Sequence, residues 1–187
     1  MPSVLLRPTA DAARELARAV IGDLGNRWLH TAAVAARAEQ LAAAVPPVDR
    51  EILIASAWLH DIGYGELARA TGFHPLDGAR LLDRHGWPIR ISSLVANHSG
   101  ACFVAAVHGL EAEMAHYPDE ASPTSDALTF ADQTVGSRGE PLAIDDRIAD
   151  MLHRHGPGSP NALVAHVRTP HIRAIADRVR ARLGAVR

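Results

Sequence analysis

Six histidine and aspartate residues occur at positions from which helices could direct their side chains towards one shared site. They are His30, His60, Asp61, His74, His98 and Asp132. Imidazole mixed with carboxylate suits Mn, Fe, Zn, Ni or Co, whereas Ca and Mg prefer sites made of oxygen alone. Six ligands exceed the four of a tetrahedral zinc site. We therefore expect one or two divalent transition-metal ions, with Asp61 as the bridging ligand if there are two.

The spacing of apolar residues places several of these groups on the inward faces of helices. His98 lies four residues after Leu94, and Asp132 lies four residues after Leu128. Residues three or four apart share one face of an α-helix, so each polar group continues an apolar stripe. His30 stands in the same relation to the apolar residues that follow it. Three separate helices are thus predicted to aim an imidazole or a carboxylate at the core.

The His60-Asp61 pair closes a helix that is predicted to end before Gly63. The helix dipole disfavours a carboxylate at a helix C-terminus, and a carboxylate near the core needs a partner. A bound cation would offset both effects. This placement predicts that the pair ligates a metal ion.

The elements that must position these residues are predicted from helical periodicity, which dominates the chain. Thr9 is expected to cap the first helix, which ends near Gly22 or Gly25, and Asp49 to cap the third. Further helices are predicted over residues 27–44, 50–62, 75–85, 88–98, 124–135, 141–155 and 160–183, with shorter pieces over 102–117 and an interruption at Pro170. This order predicts an all-α fold, a single helical bundle over residues 1–187 with the metal site between helices.

Composition excludes several classes of function. The formal net charge is −2 and the pI is about 6.6, so no strong field would attract a nucleic-acid polymer or an anionic membrane. All 19 basic residues are arginine, which removes lysine chemistry and suits bidentate contacts with phosphate or carboxylate. The lone Cys102 cannot form an internal disulfide or a cysteine-rich zinc motif. No apolar run reaches membrane-spanning length, so a soluble cytoplasmic protein is expected.

The order of these residues along the chain forms a set of motifs. His30 is followed by His60-Asp61 within Ala57–Gly63, and then by Asp132 within Phe130-Ala131-Asp132. This set resembles the HD-domain superfamily of metal-dependent phosphohydrolases. The stretches His74–Ala79 and Asn97–Gly100 are similar to the extra histidines of its two-metal members. The layout, over about residues 26–138, is similar to the branch that includes bis(5′-nucleosyl)-tetraphosphatases, although many relatives have lysine where this chain has Tyr64.

The resemblance implies hydrolysis of a phosphate ester or anhydride in a small phosphorylated molecule, with a nucleotide as the expected substrate. The nucleophile would be a hydroxide between two ions, and Asp61 would bridge these ions and be essential for catalysis. His30 and Asp132 would complete the site of one ion, and His74 and His98 that of the other.

Two arginines are candidates for binding the substrate. Arg138 follows the last aspartate, as in the branch that the chain resembles, and is expected to be a catalytic contact to the phosphate or else a solvated loop charge. Arg27 lies one turn before His30, so it would either bind substrate or pair with a nearby acid to position that histidine. Other histidines, including His108 and His155, are predicted to lie at the surface or at helix ends.

Two other functions remain open at this point. A di-iron oxygenase of the same superfamily, which would cleave a C–C or C–P bond, uses a similar set of four histidines and two aspartates. A non-catalytic nucleotide-binding module on the same scaffold is the third possibility. Residues 139–187 match no motif and are expected to be C-terminal helices that complete the domain. The sequence does not indicate an oligomeric state.

Overall fold

The structure, a computed structural model, describes residues 9–185 as an all-helical protein. Its α-helices are α1 (Ala10–Ile21), α2 (Asn26–Gln40), α3 (Arg50–Leu59), α4 (His74–Arg84), α5 (Ile89–Asn97), α6 (Ala101–Val107), α7 (Glu111–Met114), α8 (Pro123–Gln133), α9 (Ile144–His155), α10 (Pro160–Leu163) and α11 (Ala165–Ala185). Short 3-10 helices span Ala42–Ala44, Pro47–Asp49, Ile62–Tyr64 and His98–Gly100. The described range contains no β-strand, only an isolated antiparallel bridge between Val135 and Pro141. The predicted all-α class is confirmed. None of the helices between residues 9 and 185 combines the length and apolarity needed to cross a bilayer.

Capping residues set several helix boundaries. The Thr9 hydroxyl accepts a hydrogen bond from the Ala12 N–H at 3.1 Å, and α1 ends before Gly22, both as predicted. Asp49 does occupy the N-cap position of α3, but its carboxylate does not cap the helix. Its carboxylate accepts hydrogen bonds from Arg90 instead. The residue that was predicted to cap α3 therefore forms an ion pair with α5.

Several predicted boundaries are wrong. The helix expected over residues 50–62 ends at Leu59, and the one expected over 141–155 begins at Ile144. The helix expected over residues 27–44 leaves the α conformation after Gln40, and its last residues form the 3-10 turn Ala42–Ala44. The break expected at Pro170 lies instead at Val164, and Pro170 continues α11. Proline removes the hydrogen bond to the carbonyl four residues earlier, here that of His166. Both His166 and Pro170 are exposed, so water can solvate that carbonyl and the helix continues.

The core is organised around α3, which packs against α1, α2, α5 and α8. This helix is apolar on most of its surface, and Leu53, Ala55, Ala57 and Leu59 are completely buried. A helix that is apolar nearly all round belongs at the centre of a bundle. The residues that follow or face α3 are therefore held by tight packing on several sides.

The C-terminal helix α11 docks on α8 through apolar packing and a buried carboxylate. Ile172, Ile175 and Val179 of α11 join the same hydrophobic cluster as residues of α2, α3 and α8. Asp126 of α8 accepts hydrogen bonds from Arg178 at 2.6 and 2.9 Å. These contacts fix the helix whose last turn carries Asp132.

Candidate metal centre

Five different elements deliver the six candidate ligands to one place. His30 projects from the second turn of α2, His60 and Asp61 follow α3, His74 begins α4, His98 follows α5, and Asp132 lies in the last turn of α8. Their ligand atoms form two groups, and the atoms within each group lie within 4.8 Å of one another. One group contains His30, His60 and Asp132, and the other contains Asp61, His74 and His98. The structure thus brings together all six side chains that the sequence singled out.

Asp61 lies between the two groups and faces each of them with a different oxygen. Its Oδ2 atom is 3.3 Å from Nε2 of His60 and 3.7 Å from Nε2 of His30. Its Oδ1 atom is 3.3 Å from Nε2 of His74. A carboxylate placed in this way can bind two cations, one through each oxygen. This is the position expected of a bridging ligand.

Three of the histidines are oriented by backbone carbonyl groups. The Nδ1 atoms of His30, His60 and His98 lie 2.9, 2.7 and 2.6 Å from the carbonyl oxygens of Gly136, Ala57 and Val95. A proton on each Nδ1 satisfies these contacts and leaves each Nε2 as a lone-pair donor towards the centre. Metal-ligating histidines are commonly held in this way.

The Nε2 atom of His60 tests whether a cation fits this site. The ring is fully buried, and Nε2 makes no hydrogen bond with any residue that the structure describes. Buried polar atoms in folded proteins nearly always have a partner, because an unpaired one is costly. A metal ion between His30, His60 and Asp132 would be that partner, so the donor set fits a bound cation.

Asp132 is held by residues that sequence reasoning did not identify. Its Oδ2 atom accepts hydrogen bonds from the Ser99 hydroxyl and from Gln133 Nε2, the latter at 2.8 Å. The backbone of Ser99 has a φ of 56°, a left-handed conformation that is uncommon outside glycine. The hydrogen bond of its N–H to the Thr129 hydroxyl at 3.0 Å helps to hold it there. Nothing in the order of residues marks Ser99, because its role depends on the approach of α5 to α8.

Close packing against α4 explains why position 63, two residues after Asp61, is a glycine. A Cβ atom at this position would lie 1.9 Å from the carbonyl oxygen of His74 and 2.7 Å from the backbone nitrogen of Gly78. The 3-10 turn after α3 therefore touches the backbone of α4 directly. This contact sets the distance between Asp61 on the turn and His74 at the start of α4.

Arg27 forms an ion pair with Asp61. Its Nη1 atom is 2.5 Å from Asp61 Oδ2, and its guanidinium lies over the ring of Tyr64, 3.9 Å from the centroid. The opposite face of Tyr64 stacks on His74, with ring centroids 4.1 Å apart. Both faces of the tyrosine are therefore occupied. Arg27 pairs with a nearby acid, one of the two roles predicted for it, and it also lines the cavity described below.

The electrostatics keep both carboxylates ionised. Burial alone would raise the pKa of Asp61, but Arg27 and His60 outweigh it and hold that pKa well below its ordinary value. Burial likewise opposes ionisation of Asp132, whose pKa is held low by His30 and by Arg147. Ionised carboxylates are the form that binds cations.

The histidines differ in protonation. Burial, with His60 and His74 close by, lowers the pKa of His98 to about 4. Burial also lowers the pKa of His74. For His60 burial acts in the same direction, but the carboxylate of Asp61 outweighs it and the pKa is raised. At neutral pH His74 and His98 are therefore neutral imidazoles, the form that a metal requires.

A cavity of about 350 Å³ opens onto the ligand atoms. Asp61, His74, His98 and Asp132 form part of its wall, while His30 and His60 lie beneath it and are almost completely buried. Its cationic lining consists of Arg27, Arg147, Arg154 and Arg168. His108 and His155, expected only at the surface or at a helix end, line it too. The cavity therefore joins a histidine-carboxylate floor to an arginine-rich wall.

Arg138 is not brought to this cavity. It is exposed on the turn between Val135 and Pro141, and its backbone N–H donates to Glu140 Oε2 at 2.9 Å. The turn lies against the Nδ1 edge of His30 through the Gly136 carbonyl, behind the ring with respect to the ligand centre. Arg138 is thus absent from the lining of this cavity, and its exposure agrees with the alternative of a solvated loop charge; its contact with substrate stays a prediction.

Comparison with protein-family models matches residues 27–154 to the HD domain. The match covers more than half of the chain and includes all six candidate ligands, so the chain belongs to the HD-domain family. This family is typical of metal-dependent hydrolases, which agrees with the buried histidine and aspartate groups. Comparisons with curated proteins and with solved structures found no match.

Proposed function

We propose that this protein is a two-metal phosphohydrolase that cleaves a phosphate ester or anhydride. The observation that carries the proposal is Asp61, which faces two separate ligand groups with its two oxygens beside an arginine-lined cavity. His30, His60 and Asp132 would hold one ion, and His74 and His98 the other, with Asp61 shared. The histidine-carboxylate set suits Mn, Fe, Zn, Ni or Co.

Ions bound here would supply Lewis-acid chemistry, which activates water and offsets negative charge on phosphoryl oxygens. The protein's own residues orient the substrate. Arg27 presents guanidinium donors to the cavity, and Tyr64 holds the guanidinium plane in place by stacking. An arginine fork suits the oxygens of a phosphate group, and donors fixed in advance stabilise charge that develops during the reaction.

The cavity favours a compact substrate. Its volume of about 350 Å³ is near the lower end of the range usual for small-molecule sites. Tyr64 offers no free face for a base, because Arg27 and His74 cover both sides of its ring. We therefore propose a substrate no larger than a mononucleotide, and dinucleoside polyphosphates are expected to be poor substrates.

The same ligand set fits a di-iron oxygenase, so the experiment must separate the two reactions. The arginine-rich wall favours a phosphorylated substrate, since arginine is suited to phosphate recognition. Protein would be loaded with Mn²⁺ or Co²⁺ without oxygen and screened against phosphomonoesters, nucleotides and dinucleoside polyphosphates. Release of phosphate under these conditions is the expected result.

The Asp61→Ala variant supplies the structural test of this function. It should lose both bound metal, measured by elemental analysis, and phosphate release. Asp145→Asn is a matched control, because Asp145 is exposed and pairs only with the exposed Arg173 among the described residues. Full turnover by Asp61→Ala would overturn the proposal. So would activity that requires iron and oxygen and consumes oxygen.

A further inference from the structure

Arg147 of α9 is a buried arginine with unused hydrogen-bond donors. Only 7% of the residue is exposed, and its side chain lines the cavity. Its Nε and Nη1 atoms make no hydrogen bond with any residue between positions 9 and 185. A buried charged donor without a partner is strongly unfavourable, so this arrangement points to a ligand that supplies the missing acceptors.

The acids near Arg147 do not supply these acceptors. Nη2 lies 3.7 Å from Asp132 Oδ1, and Nη1 lies 3.7 Å from Asp150 Oδ2, both beyond hydrogen-bonding distance. Asp150 already accepts a hydrogen bond from Arg154 at 2.9 Å. Arg147 therefore stays next to the metal centre without being hydrogen-bonded to either acid.

Each of the two carboxylates of the centre has one arginine near it, in direct contact at Asp61 and 3.7 Å away at Asp132. Arg27 lies beside Asp61, and Arg147 lies beside Asp132. In the absence of cations the two positive charges offset the two negative ones. When Asp61 and Asp132 bind cations their charge is offset by the ions, and both guanidinium groups add to a positive field in the cavity.

We propose that Arg147, which lines the same cavity as Arg27, binds a non-bridging oxygen pair of the substrate's phosphoryl group. This inference rests on the proposed function, because it takes the anion to be the phosphoryl group that is cleaved. It assigns to α9 the anion contact that sequence reasoning gave to Arg138. A guanidinium presents parallel N–H bonds through Nη2 together with Nε or with Nη1, so Nη2 and one of the two unpaired donors supply the bidentate contact.

Binding of inorganic phosphate to the full-length, Mn²⁺-loaded protein tests this inference by calorimetry. Arg147→Gln should weaken phosphate binding about tenfold or more, the usual loss for hydrogen bonds to a charged group. Arg138→Gln, which changes an exposed arginine outside the cavity, should bind phosphate like the wild type. Elemental analysis should show unchanged metal content in both variants.

Arg147→Lys provides the second variant if Arg147→Gln does not fold. It keeps the charge but loses the planar fork, and it should also bind phosphate more weakly than the wild type. Wild-type phosphate affinity in a folded, metal-loaded variant would overturn the inference. Arg147-dependent phosphate binding without hydrolysis of any phosphate compound would overturn the proposed function and leave the anion site standing. Hydrolysis that is unaffected by either variant would overturn the role of Arg147 and leave the proposed function standing.

Discussion

The ligand side chains are fixed before any metal arrives. Backbone carbonyls orient the rings of His30, His60 and His98, and Ser99 and Gln133 hold the carboxylate of Asp132. Little conformational entropy remains to be lost on binding, because these side chains already have one orientation. A site prepared in this way binds cations more tightly than the same residues on mobile loops would.

Removal of the Ser99 hydroxyl should weaken metal binding without removing a ligand. Ser99→Ala deletes the hydrogen bond to Asp132, and loss of such a contact typically lowers metal affinity about 10–100-fold. Ser92→Ala is the matched control, because the Ser92 hydroxyl is buried and has no partner among the described residues. Titration with Mn²⁺ would measure the metal affinity of both variants. Equal affinities in the two variants would show that Ser99 does not support the site.

The low pKa of His98 should make the metal-free protein less stable in acid. Between its folded pKa of about 4 and the value of ~6.5 in an unfolded chain, the unfolded state binds more protons. The stabilisation is therefore complete above pH ~6.5 and is lost as the pH falls towards 4, on the order of 3 kcal/mol in all. His60, whose pKa Asp61 raises against the effect of burial, contributes in the opposite sense.

Comparison with a variant isolates the His98 contribution. Urea unfolding with a chelator present, at pH 7 and pH 4.5, should show a smaller loss of stability for His98→Asn than for the wild type. The other titrating groups are common to both proteins and cancel to first order. An identical pH dependence in the two proteins would contradict the burial argument.

The candidate ligands were predictable, and so was the pairing of Arg27 with a nearby acid, whereas the residues around Asp132 were not. Periodicity and the order of motifs identified side chains such as His98 and Asp132, because a polar group on an apolar helix face is visible in the sequence. Arg147 has no such signature, since arginine is common on helices of every kind. Its burial beside Asp132 depends on how α9 packs, which single-sequence patterns do not specify.

At the scale of the elements, the contact between the turn after α3 and the start of α4 sets the geometry between the two ligand groups. Gly63→Ala would place a methyl group 1.9 Å from the His74 carbonyl oxygen. The two backbones must then separate, which should lower the free energy of unfolding by about 3 kcal/mol or more and weaken metal binding.

Gly184→Ala is the matched control for this change. A Cβ atom there meets no atom within 4 Å, so metal affinity should equal that of the wild type, and stability should be equal or slightly higher because alanine favours a helix over glycine. Thermal melting and Mn²⁺ titration would measure both variants. Wild-type metal affinity in Gly63→Ala would show that the turn does not control the site.

Helix boundaries could be predicted where a local interaction sets them. The Thr9 cap and the end of α1 at Gly22 need only neighbouring residues, and both were predicted. The wrong predictions of boundaries and caps occur where solvent or residues distant in sequence determine the conformation. Pro170 is tolerated in α11 because its face of the helix is exposed. Asp49 accepts a hydrogen bond from Arg90, 41 residues away in sequence, and does not cap its own helix.

At the scale of the whole molecule, metal binding should stabilise the fold, because the site draws on five elements that are together only in the folded state. A ligand that binds only the folded state at 100 times its Kd adds about 2.7 kcal/mol. For a chain of this size that corresponds to a rise in Tm of about 5–10 °C. Asp61→Ala should show no rise with the same Mn²⁺, and a chelator should reverse the effect in the wild type. An equal rise in both proteins would place the bound metal elsewhere.

The most direct measurement is anomalous X-ray diffraction from crystals of the protein loaded with Mn²⁺ or Fe²⁺. We predict two anomalous peaks, one contacted by His30, His60 and Asp132 and the other by His74 and His98, with an oxygen of Asp61 on each. Crystals of metal-loaded protein that lack anomalous density at either group, with these side chains hydrogen-bonded to water and neighbouring amides, would contradict the account.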